Sequence, residues 1–314
     1  MLSRRFPRAL AAALTAAALT LSACTSEDTG PQTEAAVGLP VDAARITVED
    51  PGSAGKVLAY TGEGQQSVTV EVAEGFDQSL MQADAVDVQA PAGGDVTRLT
   101  LPMEGVTAAA AEPAEGEREA TRDVSFTLGR PSPDNLELAE DVHSAEGFRL
   151  GWRAEDDGQV STVRLAAPVD ATDAGRATVE QSLMKLLSLP VVFPEEAVGP
   201  GATWSVDSRV TGESTLLQTT TYTLVSRDGD TVELDVEVQQ RPALGALEME
   251  DGQSLSVLNA NTTSQGTLTV DLTRPLPVDG EVGYTTRVIY GGPDSDVRVV
   301  QDSTTGLTFS PAAD

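Results

Sequence analysis

Beyond about residue 60, apolar and polar side chains alternate along most of the chain, the period-two signature of strands with one buried face. In Ser67–Val72 the residues Val68, Val70 and Val72 share one side, and in Asp123–Leu128 so do Val124, Phe126 and Leu128. Phe148–Trp152 and Val160–Leu165 bracket Asp156-Asp157-Gly158, and Thr220–Ser226 and Thr231–Gln239 bracket Arg227-Asp228-Gly229-Asp230. Both read as hairpins, because Asp-Gly supplies the positive φ of a tight turn. In the arm after Gly229, Val232, Leu234, Val236 and Val238 alternate with Glu233, Asp235 and Glu237. One dry and one wet face point to antiparallel pairing. Further strands are expected at Ser254–Asn259, Gly266–Leu272, Gly283–Tyr290, Val297–Gln301 and Gly306–Phe309.

One segment departs from this rhythm. In Thr172–Ser188, Ala177, Leu183, Met184, Leu186 and Leu187 recur at helical spacing, with Asp170 or Thr172 as cap and Asp173 and Glu180 toward the N-terminal end. Pro190 closes it. A lone amphipathic helix must bury its stripe against a sheet. The expected fold is therefore mainly β: a large curved antiparallel sheet or partly closed barrel with one main packed helix over about 172–188. Thr25–Pro40, rich in Ser, Thr, Glu, Gly and Pro, reads as a solvated tether. Thr107–Arg122, interrupted by Pro113 and Gly116, reads as a long exposed loop. The expected division is a leader at 1–23, a flexible tether at 24–44 and a β-rich domain at 45–314, the last open to a split into halves 45–168 and 169–314.

The leader carries Arg4, Arg5 and Arg8 ahead of the uncharged run Ala9–Leu21. Those 13 residues are fewer than the roughly 20 a spanning helix needs. The chain's single cysteine, Cys24, directly follows Leu21-Ser22-Ala23. Leu21, Ser22, Ala23 and Cys24 together resemble the lipobox of bacterial lipoproteins. The resemblance implies cleavage between Ala23 and Cys24, a thioether-linked diacylglycerol on Cys24, labelling with palmitate, and residence on the extracytoplasmic face of the cell membrane. The alternative is an ordinary signal peptide with Cys24 a stray thiol, a reactive liability outside the cell. Two acyl chains, at about 0.8 kcal/mol per buried methylene, anchor stably without spanning.

Charge sharpens the picture. Loss of the three leader arginines takes the formal charge from −29 to about −32. Such a body repels nucleic acid and anionic headgroups, so any hold on a membrane comes from lipid. The partners expected are the membrane, through Cys24, and a lipid or an envelope protein. Lysine is confined to Lys56 and Lys185, and the wealth of Ala, Val, Thr, Asp and Glu is similar to high-GC, actinobacterial proteomes. With no second cysteine the fold lacks disulfide staples. Few aromatics leave the core to Val, Leu and Ala.

Phe193-Pro194-Glu195-Glu196-Ala197-Val198-Gly199-Pro200-Gly201-Ala202-Thr203-Trp204 is similar to a stretch in uncharacterised β-rich bacterial envelope proteins, which place a helix before it and hairpins after it. The likeness covers roughly residues 170–314 and implies an architecture without a chemistry. Physically, Gly201 permits the turn and Trp204 anchors the new strand inward. A looser likeness runs to lipid-carrier lipoproteins whose half-open β-barrel holds an acyl chain.

Catalytic signals are weak. His143, the only histidine, sits in the acidic stretch Leu138–Ser144 with no nucleophile-elbow motif anywhere in the chain. One histidine and one lipidated cysteine cannot assemble a usual zinc set or run thiol chemistry. Glu195-Glu196, Asp156-Asp157, Asp294/Asp296 and Glu248/Glu250/Asp251 are local acid clusters, but a glycosidase pair usually works beside aromatic sugar platforms, scarce here. No loop has calcium-loop spacing. Gly52–Lys56 is too short for a phosphate-binding loop, and Gly62-Glu63-Gly64 precedes a strand where a dinucleotide motif needs a helix. Asn261-Thr262-Thr263 matches a glycosylation sequon. No cofactor is expected. The reading is a non-enzymatic binding or interaction module. A carrier of lipids or envelope glycolipids, needing an apolar cavity of several hundred cubic ångströms, and an enzyme of unrecognised type are the alternatives.

Overall fold

The computed structural model describes residues 31–113, 116–211, 215–248, 254–292 and 295–312. Its strands are β1 (Val37–Pro40), β2 (Arg45–Asp50), β3 (Gly64–Gln82), β4 (Thr97–Ala109), β5 (Arg122–Leu128), β6 (Ser132–Pro133), β7 (Arg149–Ala154), β8 (Val160–Ala166), β9 (Thr203–Thr211), β10 (Thr215–Asp228), β11 (Thr231–Pro242), β12 (Ala246–Glu248), β13 (Ser254–Asp271), β14 (Asp279–Gly291) and β15 (Val297–Pro311). Two helices interrupt them, α1 (Ala139–His143) and α2 (Asp173–Leu187). The fold is mainly β, and the strands form one antiparallel sheet in the order β1-β8-β7-β5-β4-β3-β15-β14-β13-β11-β10-β9-β2, with β6 and β12 attached to β4 and β13.

No ladder joins β1 to β2, so the sheet is open; the closure that the sequence reading allowed is not made by hydrogen bonds. Its edges are nevertheless near neighbours. Only residues 41–44 connect Pro40, opposite Thr162, to Arg45, opposite Asp207. Five Cα steps span at most about 19 Å, whereas this path laid flat would be about 58 Å wide at ~4.8 Å per strand. The sheet must therefore bend round. Its inner face encloses one apolar cluster, in which Trp204, Tyr222, Phe126, Phe148 and Phe193 are fully buried. Trp204 stacks on Tyr222 with centroids 5.6 Å apart, and its Nε1 donates to the Val192 carbonyl at 2.8 Å. Gly201 takes φ +86° just before this strand, the turn conformation that glycine tolerates.

Helix α2 begins where Thr172 Oγ1 accepts from Gly175 N at 3.0 Å and ends at Ser188, before Pro190. Val179, Leu183 and Leu186 are buried in the apolar cluster. A Cβ on Gly175 would overlap the Asp141 carbonyl oxygen, so only glycine lets α1 and α2 cross this closely. Near the far end of α2, Lys185 Nζ lies 3.7 Å from Glu74 Oε1 on β3. Burial raises the Glu74 carboxyl above its ordinary value, and Lys185 opposes that shift without cancelling it.

Several boundaries differ from the sequence reading. Residues 37–40, assigned to the tether 24–44, pair with β8, Thr33 bridges Pro168, and Arg176 Nη2 meets Glu34 Oε1 at 2.6 Å. A polar composition is compatible with an edge strand, whose outer side faces water. The proposed loop 107–122 is shorter at both ends, since Thr107–Ala109 close β4 and Arg122 opens β5. The domain does not divide near 168: β2 pairs β9 and β3 pairs β15 across that point, and residues 31–314 form one compact unit. The two expected strands 254–259 and 266–272 are the single β13, and 297–301 and 306–309 the single β15. Their Thr- and Ser-rich middles mimic turns in sequence, but the structure uses those hydroxyls inside the sheet.

Candidate functional site

β9, β10 and β11 run side by side, and their two faces differ. On the inner face Ser208, Gln218 and Gln240 are direct register partners. The β11–β13 ladder stops at Asp235 opposite Thr267. Beyond it, side chains bridge the separating backbones: Ser264 Oγ accepts from Val238 N at 2.9 Å, and Thr262 Oγ1 accepts from Gln240 N at 3.0 Å. Gln240 Nε2 donates to Gln218 Oε1 at 2.7 Å, and Gln218 Nε2 donates to the Ser188 carbonyl at 2.9 Å. Thr286 Oγ1 donates to Gln240 Oε1 at 3.2 Å. These buried amides and hydroxyls all find partners, as burial demands, and the network ties the end of α2 to the sheet.

One residue out of phase, the outer face holds a cleft of about 520 Å³. It is lined by two cross-strand rows, Asp207–Thr219–Gln239 and Arg209–Leu217–Arg241, by the Ser208–Gln218–Gln240 row between them and Ala260, and by Asp42 and Ala43 of the 41–44 connection. Of these, Gln218 is the most buried, 1% exposed. Thr219 Oγ1 donates to Asp207 Oδ1 at 2.6 Å, and Gln239 Nε2 donates to the Thr262 carbonyl at 3.3 Å. Among the described residues neither Arg209 nor Arg241 has an ion pair or a hydrogen-bond partner, whereas Arg153, Arg164, Arg176, Lys185 and Arg287 each meet a carboxylate. The two arginine backbones stand two strands apart, about 9.6 Å, so their long side chains can converge on one guest above Leu217.

A second void, about 40 Å³, lies at the end of α2 among Tyr60, Arg122, Trp152, Leu186, Leu189 and Phe309. Here the Arg122 guanidinium sits 4.3 Å from the Tyr60 ring centroid and donates through Nη2 to the Glu155 carbonyl at 3.2 Å. Burial pushes the Tyr60 phenol up to about 12, with the Arg122 charge pulling the other way.

The residues singled out from sequence lie elsewhere. Leu21, Ser22, Ala23 and Cys24 are outside the described residues, as are Glu250, Asp251 and Asp294. His143 ends α1 rather than sitting in a loop, and its Nδ1 accepts from Arg130 Nη2 at 3.0 Å. Asp156 accepts from the Thr121 hydroxyl at 2.6 Å and Asp157 from Gln159 N at 2.8 Å, so this acid pair shapes a turn. Glu195 and Glu196 are exposed. Asn261 Oδ1 accepts from Ala90 N at 3.0 Å, and Thr262 is buried in the inner network, which engages the sequon within the fold. No cluster of metal-ligating side chains occurs among the described residues, and none of the described helices is long and apolar enough to cross a membrane. Arg209 and Arg241 carried no sequence signal of their own. Their outward phase was legible, but their placement on either side of Leu217 depends on strand order and register.

Residues 174–276 match a family of unknown function, DUF6263, about a third of the chain. The matched stretch runs from the first turn of α2 to the residue before Pro277 and contains every wall of the cleft except Asp42 and Ala43. No curated protein matches the chain.

Proposed function

We propose that this chain is a lipid-anchored extracytoplasmic lipoprotein that acts as a binding module, with the β9–β11 cleft as its ligand site. The cleft carries this reading. At about 520 Å³ it falls in the size range of small-molecule sites, and its walls are paired strands, which hold side chains more firmly than loops do. Its lining includes two arginines without partners among the described residues, and the single histidine is not part of it. Leu21-Ser22-Ala23-Cys24 supports the anchor, and Cys24 as mature N-terminus leaves a short link to the body, where Thr33 bridges Pro168 and Val37–Pro40 pair with β8. In this reading α2 plugs the interior of the sheet. A carrier of acyl chains is the weaker reading, because the void at the end of α2, about 40 Å³, has room for a water molecule and not for an acyl tail.

Two variants of the full chain test the two halves of the proposal. Cys24→Ser should abolish palmitate labelling and release the protein from the membrane fraction; persistent labelling would refute the anchor. Thr219→Trp fills the cleft from the outer face of β10. Native mass spectrometry of protein taken from the envelope should show a bound small molecule that this variant loses, and an adduct retained at full occupancy would place binding elsewhere.

A further inference from the structure

We infer that the cleft takes an oxyanion, a phosphate or carboxylate borne on a small hydroxylated molecule, held between Arg209 and Arg241; this rests on the reading of the cleft as the ligand site. The chain has 49 acidic residues against 20 basic ones, three of the latter in the leader. Among the described residues six basic side chains meet a carboxylate within 4 Å. Arg209 and Arg241, which have no such partner among the described residues, keep their donors for a guest in the same concavity. Each guanidinium is a planar fork that matches a carboxylate or phosphate edge with two parallel hydrogen bonds. Strand register fixes their spacing before any ligand arrives, which lowers the ordering cost of binding.

The remaining walls define the rest of the guest. Leu217, between the arginines, offers an apolar floor. Asp42 and Asp207 accept hydrogen bonds, and so does Gln239 through Oε1, since its amide nitrogen is engaged with Thr262. Acceptors beside a cationic pair suit a molecule that carries hydroxyl donors next to its anionic group. Overall charge sets an upper limit. Beyond a screening length of about 8 Å at physiological salt the acidic body repels anions weakly, and a polyanion extending past the cleft meets that repulsion along its whole length. A small ligand of one or two charges does not.

Isothermal titration of the full chain carrying Cys24→Ser, with glucose 6-phosphate, glucuronate, inorganic phosphate and glucose as probes, tests this directly. At least one of the two charged sugars should bind tenfold or more tighter than glucose; whichever is tighter names the oxyanion, and binding of inorganic phosphate alone at similar strength would assign the site to free phosphate. Arg209→Gln with Arg241→Gln should weaken that binding at least tenfold, while Arg98→Gln, on β4 and away from the cleft, leaves it unchanged. Should the glutamine pair fail to fold, Arg209→Lys with Arg241→Lys keeps the charge, removes the forks and should still weaken binding several-fold. The inference is overturned if no probe binds at millimolar concentration, if the arginine variants bind as tightly as their parent, or if glucose equals its charged derivatives. The last outcome, with Thr219→Trp still blocking glucose, would preserve the cleft as a binding site and remove only its preference for anions.

Discussion

Gln218 and Gln240 on the inner face, and Arg209 and Arg241 on the outer, occupy the same three strands one residue out of phase, yet their circumstances are opposite. The glutamines are buried and bonded to each other, to Thr286 and to the end of α2. The arginines face a cleft and have no partner among the described residues. Strand geometry sends neighbouring side chains to opposite sides, so a single segment can build the fold with one phase and display chemistry with the other. Polar residues are therefore poor guides to function until their partners are known. A satisfied buried amide is architecture; an unsatisfied cation in a concavity is available for recognition.

The largest effect should come from the inner face. Trp204→Ala removes a fully buried ring and the donor to Val192, and should cost about 3–5 kcal/mol in urea unfolding. Gln218→Ala leaves the Ser188 carbonyl and the Gln240 amide short of partners, and should cost about 1–3 kcal/mol in the same measurement. Had the inner network been incidental, that substitution would be neutral. Glu74 gives an effect of opposite sign. Because burial raises its carboxyl above the ordinary 4.5, the folded state holds the proton more tightly than the unfolded state. Its contribution is most favourable below the ordinary carboxylate range and is lost as pH rises through the raised value. Glu74→Gln should therefore raise the unfolding midpoint at pH 7, with the gain vanishing at acid pH; a loss at pH 7 would mean that the Lys185 contact outweighs burial. Smallest of all, Arg209→Gln and Arg241→Gln should each shift stability by no more than about 0.5 kcal/mol, as exposed positions do.

Much of the scaffold was legible in the alternation. Both hairpins fall where Asp-Gly turns mark them, with Gly229 at φ +62° and Gly158 at +96°, and the interval Thr172–Ser188 holds α2 between its caps. Where the reading failed, a local polar pattern concealed a long-range partner. Thr262, Thr263 and Ser264 resemble a break but run through β13, because Thr262 and Ser264 accept the amides of β11 that the interrupted ladder leaves open. Val37–Pro40 resemble a tether until β8 supplies the other half of the pairing. The candidate site was less legible still. It takes the register of β9 on β10 and of β10 on β11 to set Arg209, Leu217 and Arg241 in one row, and no window of sequence contains that information.

Side-chain NMR of the arginine Nε–Hε groups, followed while the tighter of the two charged sugars is added to the full chain carrying Cys24→Ser, most directly tests whether the outer face is the one held open for a guest. Shifts confined to Arg209 and Arg241, with Arg176 and Arg287 unmoved in their ion pairs with Glu34 and Asp302, are the expected result. Equal shifts at the paired arginines, or none at Arg209 and Arg241, would contradict it.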